Sequence, residues 1–270
     1  MRYAIGIIGL GNMGSSIAHA LRRNFSKTRI IGYDTDILKA RQCQKRYRVI
    51  LAKNVNQILS TCRVVILCVK PQDLRMLLGD IRKHLPSRRI IFISIAAGVS
   101  LNFLEKYLKD KPVVRVMPNL GTKIGKSASV YSLGRNCNAN DEKMALSVLK
   151  SFGLCIRVKE IDVDKITALS GSGPAYIFYV FESLLEAGRS LGLGREICVK
   201  LLYQTFLASL EILKDSDFDT SRLIKSVASK KGTTERALKT FERYALKSIY
   251  KQALRQAYLR AKELSRRLGR

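Results

Sequence analysis

The segment Ile5-Gly-Ile-Ile-Gly-Leu-Gly-Asn-Met-Gly14 constrains this chain more than any other. An apolar run rich in β-branched residues leads into Gly9-x-Gly11-x-x-Gly14. Apolar side chains then recur at helical spacing, at Met13, Ile17, Ala20 and Leu21. A strand that turns at once into a helix explains each glycine. Gly9 permits the tight turn, Gly11 lets a pyrophosphate approach the backbone, and Gly14 lets the helix lie close to the sheet. Phosphates would then meet free N–H groups and the positive end of the helix dipole. Twenty residues beyond Gly14, Asp34 closes a second apolar run, Ile30-Ile-Gly-Tyr. A carboxylate there accepts hydrogen bonds from a ribose diol. Together these features predict a dinucleotide site built from Gly9, Leu10, Gly11, Asn12, Met13, Gly14 and Asp34.

The first half of the chain alternates apolar runs with helical patterns, as a parallel sheet covered by helices requires. Strands are expected over 3–8, 29–33, 48–51, 63–69, 89–95, 112–116, 127–132 and 154–158. Arg63-Val-Val-Ile-Leu-Cys-Val69 and Ile90-Ile-Phe-Ile-Ser-Ile95 are continuously apolar and read as strands buried on both faces. Helices are expected over 12–23, 36–46, 54–60, 72–84, 100–109 and 141–151. Beyond about residue 160 strand-like runs vanish, leaving helical patterns at 162–169, 174–191, 195–214, 220–228 and 234–268. The reading is therefore an α/β domain over 1–160 followed by an all-helical domain over 161–270. In that second domain Tyr176, Ile177, Tyr179, Val180, Phe181, Leu184 and Leu185 wrap most of one helix. A helix apolar nearly all round needs cover on several sides, and so few helices supply too little. A second copy of the chain is expected to supply the rest.

Composition narrows the class further. No apolar run reaches the ~18 residues of a membrane span, and the glycine-interrupted start does not read as a signal peptide. The six cysteines form no metal-ligand spacing and several lie in apolar segments, which suits free thiols in a reducing cytoplasm. No metal site is expected. The 49 Lys and Arg against 21 Asp and Glu give a net charge of +28, densest from Lys247 to Arg270. No nucleic-acid-binding motif accompanies that charge, so it reads as solvated surface with no specific nucleic-acid or membrane partner.

Three motifs terminate the fourth, fifth and sixth expected strands: Leu67-Cys-Val-Lys-Pro71, Ser94-Ile-Ala-Ala-Gly-Val99 and Arg115-Val-Met-Pro-Asn119. Each is readable as an ordinary strand end with a turn-making residue. In register with the glycine fingerprint, they fall at the carboxyl edge, where open α/β sheets bind ligands. A fourth, Ala168-Leu-Ser-Gly-Ser-Gly-Pro-Ala-Tyr176, is readable as a helix start around Pro174 or as a segment lying close to a nicotinamide.

Taken together, Gly9-Leu-Gly-Asn-Met-Gly14, Val69-Lys-Pro71, Ser94-Ile-Ala-Ala-Gly98, Met117-Pro-Asn119, Ser170-Gly-Ser-Gly-Pro-Ala-Tyr176 and Gly232-Thr-Thr234 resemble the pyrroline-5-carboxylate reductase family. The likeness runs in order over nearly the whole chain. It implies an N-terminal Rossmann-type domain and an all-helical dimerisation domain, interlocked with a second chain in a homodimer or higher homo-oligomer. It also implies hydride transfer from NADPH or NADH to the imine carbon of 1-pyrroline-5-carboxylate, giving L-proline. The cofactor residues it implies are the fingerprint and Asp34 with Asn54, Val69, Lys70, Pro71, Ala96, Ala97 and Gly98. Ser229, Gly232, Thr233, Thr234 and Asn119 are implied as substrate contacts, with Thr234 the catalytic residue beside the imine nitrogen.

Two departures from the family pattern stand out. Lys230-Lys231 replaces Pro-Gly in the substrate loop, removing a glycine that a positive φ would favour. Leu120-Gly-Thr-Lys123 follows Asn119 where the family commonly continues Thr-Pro-Ala. Asp34 would repel a 2′-phosphate, so the local chemistry leans to NADH where the family leans to NADPH. A protonated imine is already polarised, so the protein chiefly orients the reactants, and neither His19 nor His84 is expected to act as an acid. Thr233 and Thr234 have a second reading as N-caps of the last helix. Rival readings are a nucleotide-binding dimer without turnover and a β-hydroxyacid dehydrogenase. The latter places a lysine early in the first long helix of its second domain, where Ala175 to Leu185 has none.

Overall fold

The computed structural model describes residues 4–268, so Tyr3 of the first expected strand and Arg270 of the terminal basic cluster lie outside the described residues. In chain order the first half runs β1 (Ile5–Ile8), α1 (Asn12–Asn24), β2 (Ile30–Tyr33), α2 (Ile37–Tyr47), β3 (Ile50–Leu51), α3 (Val55–Thr61), β4 (Val64–Leu67) and α4 (Pro71–Lys83). It continues with β5 (Ile91–Ser94), α5 (Leu101–Leu108), β6 (Val113–Met117), β7 (Ser127–Leu133), α6 (Ala139–Leu149) and β8 (Gly153–Arg157). All eight expected strands are present. They form one sheet in the order β3-β2-β1-β4-β5-β6-β7-β8, parallel throughout except where β7 runs antiparallel to β6.

Alternation along the strands divides the interior into two apolar layers. Ile5, Ile7, Val64, Ile66, Val114 and Val116 meet α1, α2 and α6 through Ile17, Leu21, Cys43, Val148 and Leu149. Ile8, Val65, Leu67, Phe92 and Val113 meet α3, α4 and α5 through Ile58, Leu59, Leu74, Leu78, Ile81 and Leu104. Every residue of β1, β4 and β5 is buried, as their unbroken apolar sequence requires. Local signals fix the helix starts. Asp36, Asn54 and Ser100 cap α2, α3 and α5 through side-chain oxygens, and Asn138 and Asp141 close a capping box on α6.

By mutual packing the chain divides into two compact units, one of residues up to 174 with 256 onward, the other of 175–255. Residues 161–174, which the sequence pattern groups with the helical half, are held to the sheet by an ion cluster. Arg115, in the middle of β6 and only 5% exposed, bonds Glu160 Oε1 (3.1 Å) and Asp164 Oδ1 (2.8 Å). Glu160 Oε1 also accepts the Leu101 N–H at the start of α5 (2.6 Å). Asp164 lies on the short α7 (Val163–Ile166), which runs on into a π-turn, Thr167–Gly171, where the sequence pattern predicts one helix over 162–169.

The remaining helices are α8 (Gly173–Ser190), α9 (Arg195–Asp215), α10 (Thr220–Val227), α11 (Thr233–Arg243) and α12 (Leu246–Leu268). The expected single helix over 234–268 is two. The chain breaks at Tyr244-Ala245, with Ala245 at φ 50°, and no Gly or Pro marks the place. Within 175–255, the Phe181 and Phe206 rings meet at 5.7 Å, and Cys198 is buried against Gly188.

Candidate nucleotide and substrate site

Because β1, β2, β4, β5 and β6 run parallel, their carboxyl ends share one edge, with Ile8 opposite both Tyr33 and Leu67, and Leu67 opposite Ser94. The motif loops leave from this edge and extend the ladder. Gly9 N donates to Tyr33 O (2.8 Å), Cys68 N to Ile8 O (2.7 Å) and Ile95 N to Leu67 O (3.2 Å). Residues far apart in sequence, from Gly9 to Asn119, are thereby gathered along one crest.

The fingerprint fits a pyrophosphate in this structure. Gly9 adopts φ 94°, and a Cβ on Gly14 would collide with the Gly9 carbonyl oxygen, so this helix approaches the turn only because position 14 has no side chain. A Cβ on Gly11 would meet nothing within 4 Å, so the loop faces open space there. Gly11 caps α1 with no side-chain hydrogen bond, and the first turn holds no acidic residue. The first-turn N–H groups are therefore not spent on a side chain, and no acidic residue of that turn opposes an incoming phosphate. Cys68 packs beside Gly14, and burial pushes its thiol pKa up, so it stays neutral there. Cys43, raised to about 11 by burial and by Asp34, does likewise.

Asp34 does more than the sequence pattern indicates. Its carboxylate accepts the Leu10 N–H (2.6 Å) and the Asp36 N–H (2.8 Å), tying the β1–α1 turn to the β2–α2 turn. Each oxygen keeps further acceptor capacity for a ribose hydroxyl. Asn54 caps α3 by accepting the Gln57 N–H (3.0 Å). Lys70 is the exposed cap residue of α4 and Pro71 its first helical position, with Val69 half-buried before them. Ala96 and Gly98 are buried and Ala97 half-buried in the turn after β5. Gly98, at φ 75°, packs on Leu264 and Ser265 of α12, and Ser265 Oγ donates to Asp164 Oδ2 (2.9 Å).

Asn119 is held by its own loop and by Ser170. Its Oδ1 accepts the Gly121 N–H (2.9 Å) and the Ser127 hydroxyl (3.2 Å), while Nδ2 donates to the Ser170 carbonyl (3.0 Å). The side chain implied as a substrate contact is thus largely engaged with the protein itself. His19 lies 3.3 Å from the Lys123 carbonyl. His19 stacks on Tyr47 at 5.0 Å and His84 pairs with Asp80 one helical turn away.

The loop Ser229 to Thr234 belongs to the 175–255 unit. Gly232, not a threonine, occupies the N-cap of α11, and no side chain caps that helix. Reading Thr233 and Thr234 as caps is therefore corrected: they are the first two helical residues, and the Thr234 hydroxyl is not consumed as a cap. Gly232 N donates to Ser229 O (3.0 Å), closing a turn in which Lys231 has φ 63°. A positive φ at this third position is that of a type II turn, which glycine fits and lysine strains. The Lys231 N–H donates to Glu235 Oε2 (2.5 Å), and Lys239 together with this N–H holds the Glu235 carboxyl below the usual carboxylate range.

Not singled out from the sequence are Asp164, Ser265 and, as an ion-pair centre, Arg115. The signal for Arg115 was present: a cation inside the otherwise apolar run Val113-Val-Arg-Val-Met117 has to find buried carboxylates. Nothing local in sequence marks the partners.

Fold and edge together define a class: a dinucleotide-binding α/β domain followed by a helical second unit. Comparison with known proteins narrows it. Residues 4–98 match a family model described as NADP oxidoreductase, coenzyme F420-dependent, and residues 160–264 match one described as pyrroline-5-carboxylate reductase dimerisation. The pyrroline-5-carboxylate reductase of Corynebacterium melassecola is 32% identical over 97% of this chain and 98% of its own. The structure of the Coxiella burnetii enzyme superposes with a TM-score of 0.88 at 34% identity, over 97% of this chain and 98% of that one. That of the Plasmodium falciparum enzyme with NADP bound gives 0.88 at 29% identity, over 98% of each chain. The chain belongs to the pyrroline-5-carboxylate reductase family, and with it to the NAD(P)H-dependent oxidoreductases. Among the described residues, no helix is long and apolar enough to cross a membrane.

Proposed function

We propose that this chain reduces 1-pyrroline-5-carboxylate to L-proline in the cytoplasm as a homodimer, with Thr234 as the catalytic contact to the imine nitrogen. The observation that carries the reading is the free Thr234 hydroxyl beside an uncapped helix start, a seat for a carboxylate and an imine together. When bound, NAD(P)H supplies the hydride that reduces the C=N carbon. The chain supplies the rest. Gly9 to Gly14 seat the pyrophosphate on α1, Asp34 and Asn54 take the adenosine ribose, and Val69 to Pro71 with Ala96 to Gly98 form the rest of the cofactor bed. Ser229, Gly232 and Thr233 hold the substrate carboxylate through backbone N–H groups and hydroxyls. Orientation in a dry pocket then does most of the catalytic work, since the protonated imine needs no strong acid.

The assay is oxidation of NAD(P)H by purified protein in the presence of pyrroline-5-carboxylate. Turnover is expected; nucleotide binding without turnover would overturn the reading. Thr234→Ala should lower kcat/KM for the imino acid roughly ten- to a hundredfold, the loss of a charge-assisted hydrogen bond of about 1.5–3 kcal/mol. Nucleotide affinity should not change. Since Gly232 is the cap, thermal stability should hardly move; a mutant that loses stability but keeps its kinetics would sink the assignment of Thr234.

A further inference from the structure

The environment of Asn119 assigns it a different task from touching substrate. Its amide orientation is dictated from one side. Oδ1 faces two donors, the Gly121 N–H (2.9 Å) and the hydroxyl of Ser127 (3.2 Å). That Ser127 hydroxyl is itself buried and oriented, accepting from the Asn119 N–H (2.9 Å) and from Ser129 Oγ (2.9 Å). A flipped amide would set N–H against N–H, so Nδ2 has to point the other way. It meets the carbonyl of Ser170 at 3.0 Å.

That carbonyl has lost its α-helical donor. Ser170 sits in the π-turn Thr167–Gly171, closed by Ser172 N donating to Thr167 O (2.9 Å). In a continuing helix the Ser170 carbonyl would accept from the backbone N–H four residues on. That residue is Pro174, which has none. Asn119 supplies the hydrogen bond that proline removes. The neighbouring contact points the same way: a Cβ on Gly171 would lie 2.8 Å from Met117 Cε, so the end of β6 is fitted closely to this turn.

We propose that Asn119 is a positioning residue that fixes the segment Ser170–Pro174 by donating to the Ser170 carbonyl in place of the missing Pro174 N–H. Its effect on catalysis rests on the proposed function and on the second reading of this motif, as a segment lying close to the nicotinamide. Asn119 then acts through backbone geometry and makes no direct contact with the imino acid.

The test uses Asn119→Asp, which keeps both acceptor contacts and replaces the donor by an oxygen facing another oxygen, alongside Asn119→Asp with Pro174→Ala, which restores a backbone N–H at position 174. Hydrogen exchange of the peptide covering residues 167–176 is measured by mass spectrometry on the protein without nucleotide, and steady-state kinetics in parallel. The single variant should exchange about tenfold faster in this peptide and lose kcat about tenfold, with KM for pyrroline-5-carboxylate and nucleotide affinity within twofold. The double variant should recover most of both losses. A rise in KM alone with unchanged exchange would overturn the proposal and make Asn119 a direct substrate ligand. So would a double variant no better than the single one. Faster exchange rescued by Pro174→Ala, with kinetics unmoved, would overturn the catalytic role while leaving the latch itself; it would place Ser170–Pro174 outside the active site. Should the single variant fold poorly, Asn119→Ala with and without Pro174→Ala gives the same comparison. Lack of turnover by the unsubstituted protein would count against the proposed function, and the exchange measurement would still decide the latch.

Discussion

In the sheet-bearing unit, Phe92, Phe152, Ile66 and Leu67 are wholly buried, and helices cover both faces of the sheet. In residues 175–255, Cys198 is the one buried residue among those described, while Ile177, Phe178, Tyr179, Leu201, Tyr203 and Leu210 are each more than half exposed. The sequences are not very different in apolar content along these stretches. The difference is geometric. Strands stack apolar side chains into layers that one chain can close on both sides, whereas α8 and α9 carry apolar side chains around most of their circumference. One region completes its core alone; the other presents a surface made for more protein.

The sharpest way to break that contrast is to ask whether the second region stands without a partner. A dimer is expected at micromolar concentration, with unfolding that depends on protein concentration. Leu201→Asp combined with Tyr179→Asp should abolish the dimer and essentially all activity. Light scattering that finds a stable, folded monomer in the unsubstituted protein would remove the contrast altogether. Within the sheet unit the largest effect of one substitution should come from Gly14→Ala. Its Cβ would collide with the carbonyl of Gly9, backbone that cannot swing aside. Overpacking of about 1–3 kcal/mol, expressed at the turn that would seat the pyrophosphate, should weaken nucleotide binding roughly ten- to a hundredfold by titration. An equal loss of imino-acid affinity would show that the damage spreads beyond this turn.

What could be read in the sequence follows the same division. All eight strands and the helices between them were legible, because each sheet element carries its own apolar period, cap or turn residue, as Asp36, Asn54 and Ser100 do. The motif loops were legible because glycine and proline report backbone demands directly. The break at Ala245 was not, since an alanine at positive φ leaves no mark on composition. Asn119 and Asp34 show the subtler limit. Their side-chain types were recognised, but which oxygen or nitrogen is already engaged depends on Ser170, Ser127 and Leu10, partners distant in sequence or silent in pattern.

Asp34 offers a finer cut at the sheet unit. A carboxylate there disfavours a 2′-phosphate, so NADH should serve at least comparably with NADPH. Asp34→Ser should move the kcat/KM ratio toward NADPH by about tenfold, or ~1.4 kcal/mol. Because Asp34 also accepts the Leu10 and Asp36 N–H groups, the same change should weaken binding of both nucleotides, the oxidised forms included. An unchanged ratio with weaker binding would mean that Asp34 acts only as the tie between the two turns.

The smallest effect probes the second unit, at Lys231. An L-residue at φ 63° costs about 1–2 kcal/mol relative to a relaxed conformation. Glycine relieves that strain but adds about 0.4–1 kcal/mol of unfolded-chain entropy. Lys231→Gly should therefore stabilise the protein by about 0.5–1 kcal/mol, read as a small rise in Tm. The Lys231 backbone N–H stays in place to donate to Glu235, so the turn itself should persist. Kinetics separate strain from charge. If the ammonium groups of Lys230 and Lys231 merely tolerate a carboxylate nearby, kcat/KM for the imino acid should stay within about twofold when the loop becomes Pro-Gly. A large gain would mean that the lysines hold the seat out of shape, and the weakness of the second unit would then extend from its exposed faces to its chemistry.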